Sequence, residues 1–451
     1  MIHNWRTARQ QILIILLGLA AFGPALKTGF LYDDHLLIES NPYIRSWSVK
    51  NVAHDFSSGI FNDHGHLNYL RPLQTFTTRL EYGLWGLRPF GYHLTNLLLH
   101  LGNALLLREF VLIIGFSPAV ALITACLFVV HPMTVEPMLM VSGRGELLGF
   151  FFTLVCLLFL LRGTRKGLFL GLAAYSVGLL SKESAIMTPV FFALSLYLKD
   201  SPSRRYRALV PLCALTLPYL WLRSHAVGNL LPGIDPAIYL RFGWMAFPKV
   251  LGTYARLILV PWNLHTDRML PPGYFWVLYT TGLAALICWT AMRRSRWPVF
   301  CLLWYIAALL PKIPLMCLES FMCEHWVYPA LLGALLPAAI LIAKGLTTPS
   351  RAARFFSHAL FYVLLAVWGS IAQLNVFWRG TDEKLYRSAV RYTPSIIMKE
   401  NLASVLLNQG RAGEAIPWLE SILRQDPDNL PAARALAAAR QIVNSTSPLR
   451  K

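Results

Sequence analysis

Tyr32-Asp33-Asp34 puts two adjacent carboxylates directly after the first long apolar run, Gln11–Phe30. Like charges side by side repel, which lifts one proton affinity toward a value useful for acid–base work. Other ionisable groups recur at comparable places. Arg71 lies in Tyr69-Leu-Arg-Pro72, His93 and Asn96 open the second run, and His131 and Glu136 close the third. Arg144 and Glu146 open the fourth, and Lys182 and Glu183 close the fifth. Asp267 and Arg268 fall in a later loop, while Lys312, Glu319, Glu324 and His325 flank the ninth and tenth runs. Ionisable groups at the mouths of membrane spans are costly unless paired or used. A simpler reading stands beside this one. Lone polar groups at helix ends serve as caps or interfacial anchors, which suits His93, Asn96 and Glu319. Lys182-Glu183 fits a local ion pair as well as a site. The stronger signal is that the whole set falls on one face.

The elements that must hold these groups are apolar. Of 451 residues, 56% are hydrophobic and 14% charged, and the mean hydropathy is +0.49. The expected fold is all-α, a polytopic transmembrane bundle. Candidate spans are 11–30, 93–113, 117–131, 147–162, 167–181, 185–199, 208–223, 274–292, 298–311, 326–344 and 355–375. That makes about eleven crossings. Arg6 and Arg9 precede the first, so the N-terminus is expected in the cytoplasm, with the run itself kept as an uncleaved anchor. The basic clusters 162–166, 199–207, 293–296 and 344–354 then also fall on the cytoplasmic side. A net charge of +19 therefore reflects topology, and nucleic acid is not expected as a partner. Cys126, Cys156, Cys213, Cys288 and Cys301 read as packing residues within spans. Cys317 and Cys323 share an outer loop, as a pair or as two free thiols.

Two outer loops are long. Leu31–Tyr92 carries the aspartates, and Ser224–Gly273 contains an apolar stretch, Arg241–Leu264, expected on or dipping into the membrane surface. The chain divides into 1–380, the membrane domain, and 381–451, a polar helical segment. Ser395–Asp428 has the look of one tetratricopeptide repeat, with Leu402, Leu406, Gly410, Ala415, Leu419 and Pro427 at packing and turn positions. A single repeat cannot bury its own face, so it should pack on its neighbours, the membrane domain or a partner protein.

Several ordered motifs carry a resemblance. Phe30-Leu-Tyr-Asp-Asp34, Tyr69-Leu-Arg-Pro72, Arg88–His100, His131-Pro with Glu136 and Gly143-Arg-Gly-Glu146, and Leu180-Ser-Lys-Glu183 are similar to landmarks of the transmembrane-and-tetratricopeptide-repeat protein O-mannosyltransferases, C-type (GT-C) membrane glycosyltransferases. Glu324-His-Trp-Val-Tyr-Pro329 resembles a further block of that family, with His325 and Trp326 in place of Arg-Tyr. The short tail departs from the long repeat arrays of eukaryotic relatives and looks like that of a bacterial member. The resemblance implies inverting transfer of a sugar from a polyprenyl-phosphate donor to a protein hydroxyl or other acceptor. It further implies a multi-pass protein of the bacterial inner membrane, with the site facing the periplasm. It assigns the general base to Asp33, with Asp34 orienting the acceptor or sharing the proton. A leaving phosphate needs cations, for which Arg71, His131, Arg144 and Lys182 are candidates. Glu136, Glu146 and Glu183 would hold those cations, with His93, Asp267, Glu324 and His325 in support. No metal or other cofactor is expected. The rivals are a glycan- or lipid-modifying enzyme of the same fold, a membrane scaffold recruiting partners through its repeat, and a transporter. A transporter would bury charge near the midplane and often repeat internally, and neither sign is present.

Overall fold

The computed structural model describes residues 2–61, 69–228, 236–269, 278, 281–282, 285–286, 295–312 and 321–446. Helices dominate. α1 (Ile2–Phe22) carries the first apolar run. α2 (Val49–Ser57) and α3 (Pro72–Trp85) belong to the first long loop. Then come α4 (Pro89–Ile113), α5 (Pro118–Val129), α6 (Val135–Leu139), α7 (Arg144–Arg162) and α8 (Arg165–Leu179). They are followed by α9 (Thr188–Leu198), α10 (Leu209–Val227) and α11 (Pro236–Leu259). A two-residue strand, β1 (Arg268–Met269), pairs antiparallel with β2 (Phe321–Met322), placing Arg268 opposite Met322. Between them lies α12 (Arg296–Leu309), and after them α13 (Leu331–Thr347) and α14 (Arg351–Arg379). The tail adds α15 (Asp382–Tyr392), α16 (Ile396–Asn408), α17 (Ala412–Gln425) and α18 (Leu430–Thr446).

Local chemistry sets the breaks. Pro72, Pro89 and Pro118 stand in the first turns of α3, α4 and α5, where a missing N–H costs nothing. Ser117, Thr164 and Ser350 accept from the N–H three residues on and cap α5, α8 and α14. Gly163, at φ +71, ends α7 in the left-handed conformation and turns the chain back, so that α7 and α8 pack as a hairpin.

Five helical stretches among the described residues are long and apolar enough to cross a membrane: Thr7–Lys27, Pro89–Ile113, Val141–Arg162, Glu324–Thr347 and Arg351–Arg379. Pro118–Val129 and Pro132–Leu139, bent by 56°, make a sixth when counted as one span. The chain is a multi-pass membrane protein, and length and hydropathy support five or six of the expected eleven crossings among the described residues. Other apolar runs form shorter helices, of 15 residues in α8, 11 in α9 and 14 in α12, against about 20 for a full crossing. Most of the run 274–292, Cys288, Glu319 and the pairing of Cys317 with Cys323 lie outside the described residues. Arg241–Leu264 is mostly helix, with Val250, Leu251, Tyr254, Leu257 and Ile258 buried. Cys126, Cys156 and Cys301 are buried, as packing residues should be, whereas Cys213 is exposed.

The core joins α4, α5, α7, α12 and α13. Trp304 is fully buried and stacks on Phe191 with ring centroids 4.1 Å apart. A buried polar chain links the helices: Asn103 Nδ2 donates to Tyr328 Oη at 3.2 Å, and that hydroxyl lies 2.7 Å from His100 Nδ1. In the tail, α16 and α17 pack as a hairpin around Gly410 (φ +73), with Leu402, Leu406, Ala415 and Leu419 buried.

Candidate active site

After α1 the chain makes a tight turn. Asp34 N donates to Leu31 O at 3.0 Å, and Asp33 O accepts from Leu36 N and Leu37 N at 3.1 and 2.9 Å. Tyr32 adopts φ +53 to make this turn, a costly conformation for a bulky residue. The turn brings Asp33 to a cavity of about 210 Å³ shared with Tyr32, Tyr69, Arg71, Glu136, Ser142, Lys182, Asp267 and His325. Six of the sequence-predicted site residues therefore meet in one place: Asp33, Arg71, Glu136, Lys182, Asp267 and His325.

The two cations on this wall are held from behind. Arg71 donates through Nε and Nη2 to Glu183 at 3.0 and 2.7 Å, a bidentate pair. Its guanidinium lies 4.4 Å from the Tyr69 ring centroid. Lys182 Nζ is 3.2 Å from Glu146 Oε1, and Lys312 Nζ donates to the same oxygen at 2.5 Å. The Lys182 stem runs across two glycines of α7. A Cβ at Gly145 would lie 3.1 Å from Lys182 Cδ, and one at Gly149 would lie 2.9 Å from Lys182 Cβ. Any larger residue there would push the lysine aside. Burial, followed by the nearby Arg71 charge, lowers the Lys182 pKa to about 8.

Carboxylates form the rest of the wall. Burial and then the neighbouring Asp34 charge raise the Asp33 pKa to about 7, against the pull of Arg71. Glu136 Oε2 accepts from His325 N at 2.7 Å and lies 2.9 Å from His325 Nδ1. Glu136 Oε1 has no hydrogen-bond partner among the described residues. Asp267, at φ +61, has its carboxyl raised by burial against a Ser395 hydrogen bond. No group of three or more His, Cys, Asp or Glu among the described residues is arranged to hold a metal ion.

Several expected residues stand away from the cavity wall. The Asp34 carboxylate accepts from Leu31 N, Val141 N and Ser142 N at 3.2, 3.0 and 2.7 Å. Both oxygens accept bonds that join the loop to the turn before α7, so Asp34 stands off the cavity wall, where it was expected to meet the acceptor. Arg144 is fully buried; it donates to Asn96 Oδ1 at 2.8 Å and to Tyr92 O at 3.0 Å, and pairs with Glu81. His131 caps the turn after α5 by accepting from Met133 N at 3.1 Å, and its Nε2 faces Ile258 O. Neither is left to meet a phosphate. His93 Nε2 bonds Gly29 O at 3.1 Å and ties α4 to the segment after α1. Glu324 lies one layer behind the wall, accepting from His265 N at 2.6 Å and from Arg379 Nη1 at 2.8 Å. Arg379 was not a sequence candidate; a lone arginine closing a long apolar helix was the available signal.

One prediction follows for Asp34. An amide offers a single acceptor oxygen to three N–H groups and sets an NH₂ against one of them. Asp34→Asn is expected to lose roughly 1.5–3 kcal/mol or more of stability, the worth of a hydrogen bond to a charged group. Thermal unfolding of the detergent-purified protein checks it, and an unchanged Tm would contradict it.

No protein-family profile matches the chain. Curated sequences do. The chain is 24% identical over an alignment of 504 positions to Protein O-mannosyl-transferase Tmtc3 of Drosophila melanogaster, covering 90% of this chain and 54% of that protein. It is 25% identical over 272 residues to Protein O-mannosyl-transferase F38B6.6 of Caenorhabditis elegans, covering 57% of this chain and 39% of that one. With Protein O-mannosyl-transferase TMTC1 of Mus musculus the identity is 33% over 147 residues, 31% of this chain and 15% of the relative. The chain thus resembles the TMTC-type protein O-mannosyl-transferases and spans about half the length of the fly protein or less of the others. Among solved structures, ArnT from Cupriavidus metallidurans bound to undecaprenyl phosphate aligns with a TM-score of 0.45 at 16% identity, covering 96% of this chain and 76% of that one.

Proposed function

We propose that the chain is an inverting membrane glycosyltransferase of the GT-C type that moves a sugar from a polyprenyl-phosphate donor to an acceptor hydroxyl. The observation that carries this reading is a single cavity where Asp33, an aspartate with its pKa near 7, shares the wall with Arg71 and Lys182. A base poised near neutral pH and two cations for a phosphate are the groups that such a transfer needs. Asp33 takes the proton of the acceptor hydroxyl as its oxygen attacks the anomeric carbon. The bond from that carbon to the phosphate oxygen breaks, and the electron pair leaves with the polyprenyl phosphate. Arg71 and Lys182 balance the charge that collects there. Attack opposite the leaving group inverts the anomeric centre. Glu136 and Asp267 are placed to bind sugar hydroxyls.

The wider setting is read from the same supports. The acceptor is a protein hydroxyl, as the names of the relatives suggest, or a glycan. The shorter apolar helices complete an eleven-crossing bundle in a bacterial inner membrane, with the cavity at its periplasmic face. Residues 395–428 act as a tetratricopeptide-like surface for acceptor or partner. Incubating the purified protein with undecaprenyl-phosphate-linked mannose, glucose and galactose, and following release or transfer of the hexose, tests the reaction. No turnover with any of them, in the presence or absence of hydroxyl acceptors, would argue against it.

Lys182→Met is the cleanest probe of the phosphate site. The thioether fills the groove over Gly145 and Gly149, and Glu146 keeps Lys312 at 2.5 Å, so no buried carboxylate is stranded. One charge-assisted contact is worth about 1.5–3 kcal/mol, so donor KM should rise about 10- to 150-fold with little change in Tm. Wild-type donor kinetics would assign Lys182 a purely structural role.

A further inference from the structure

One elbow of the chain, residues 379–393, grips three walls of the cavity without entering it. Arg379 Nη1 donates to Glu324 and Nη2 to Thr266 Oγ1, at 2.8 and 2.9 Å. Thr393 Oγ1 lies 3.1 Å from His265 Nε2. At the bend, a Cβ on Gly380 would lie 3.0 Å from Thr28 Cγ2, so the elbow sits tightly against the segment that follows α1.

The third grip falls on the turn that carries the base. Asp382 opens α15, 350 residues from its partner: its Oδ1 accepts from Tyr32 N at 3.1 Å. Its Oδ2 lies 2.7 Å from His35 Nε2. One turn further along α15, Tyr386 meets the Tyr32 ring edge-on at 6.2 Å between centroids. Tyr32 is the residue held at φ +53. A left-handed conformation is strained for a non-glycine residue, and it persists only where the surroundings enforce it. The turn's own bonds, Asp34 N to Leu31 O and His35 N to Tyr32 O, are joined here by two contacts from the C-terminal segment. The Tyr32 backbone in turn sets the direction of the next residue, Asp33.

We propose that Asp382 is a positioning residue: its hydrogen bond from Tyr32 N holds the left-handed turn that aims Asp33 into the cavity, making the C-terminal segment a working part of the active site. This rests on Asp33 being the base. It explains a bond between two stretches so far apart in sequence. It also predicts a loss in the chemical step, since a base displaced by about 1 Å can cost up to 10²-fold in rate without weakening donor binding.

The test measures kcat and KM of the full-length, detergent-purified protein with undecaprenyl-phosphate-linked hexoses. Asp382→Ala is expected to lower kcat by about tenfold or more with donor KM within about twofold. Asp382→Asn keeps an acceptor for Tyr32 N and should stay within about threefold of wild type, as should His35→Gln, which spares the Tyr32 bond. Asp382→Ser, compatible with the first turn of α15, should behave like Asp382→Ala and decides the matter if the alanine variant does not fold. Wild-type kcat in Asp382→Ala or Asp382→Ser overturns the proposal, as does a loss in Asp382→Asn or His35→Gln equal to that in the alanine variant. A rise confined to KM does the same. Asp33→Asn, run alongside, separates the two readings. If it is inactive while Asp382→Ala is wild type, only the positioning role fails; if it is active, the base assignment fails and the positioning role with it.

Discussion

Asp33→Asn should lower transfer by about 10²–10⁴-fold while leaving expression and donor binding near wild type. The substitution keeps the size of the side chain and removes the proton acceptor. The turn should survive it, because the bonds from Leu36 and Leu37 go to the Asp33 backbone carbonyl. The same residue fixes the pH dependence. Burial and the neighbouring Asp34 charge raise the Asp33 pKa to about 7, and only the ionised form accepts a proton. The rate kcat/KM should therefore fall about tenfold per pH unit below 7, pass through an optimum between about 7 and 8, and fall again above about 8 as Lys182 loses its charge. The two aspartates interact, so the midpoint belongs to the pair. Measuring transfer from pH 5 to 9 for the wild type, and at its optimum pH for Asp33→Asn, checks both statements. Full activity in Asp33→Asn would remove general-base catalysis by this residue, and a flat profile would remove its titration.

The residues that meet at the cavity were legible because they combine charge with placement at the ends of apolar runs. Asp33, Arg71, Glu136, Lys182, Asp267 and His325 all have that signature. Arg144 and His131 have it too, yet they are tied inward to Asn96, Glu81 and Met133. Position along a run cannot tell a cation facing a cavity from one turned into the bundle. Asp34 stands off the cavity for a related reason: adjacency to Asp33 suggests shared chemistry, while successive side chains of a tight turn point to different surroundings. Arg379 and Asp382 were illegible because their partners are distant. Glu324 is 55 residues from Arg379, and no local pattern announces such a pair. Span count is legible only in part. Apolar runs marked where helices lie, but 15 residues in α8 and 11 in α9 are the lengths of helices that are short, broken or bent. Hydropathy alone does not distinguish these from full crossings.

Arg379→Met should be the most destabilising single change at the site. Arg379 is 1% exposed. It neutralises Glu324 at 2.8 Å and stands 3.9 Å from Glu136, both 1% exposed. Arg268 remains near Glu324, but at 3.4 Å and on the other carboxylate oxygen. Removing one partner of a buried pair leaves an uncompensated charge, at a cost of about 3–5 kcal/mol. The larger part of that cost is the stranded glutamate rather than the lost contact. A second substitution exposes this: Glu324→Met in the Arg379→Met background removes the stranded charge, so the double variant should recover much of the loss. Its recovery is incomplete, since Glu324 also accepts from His265 N at 2.6 Å and Arg379 also holds Thr266. Thermal unfolding and size-exclusion profiles of the four proteins in detergent form the cycle. A double variant no more stable than Arg379→Met would mean that the arginine acts by packing the end of α14 against the cavity wall, with its charge of little consequence. An Arg379→Met variant as stable as wild type would mean that Arg268 and His325 suffice to hold both glutamates.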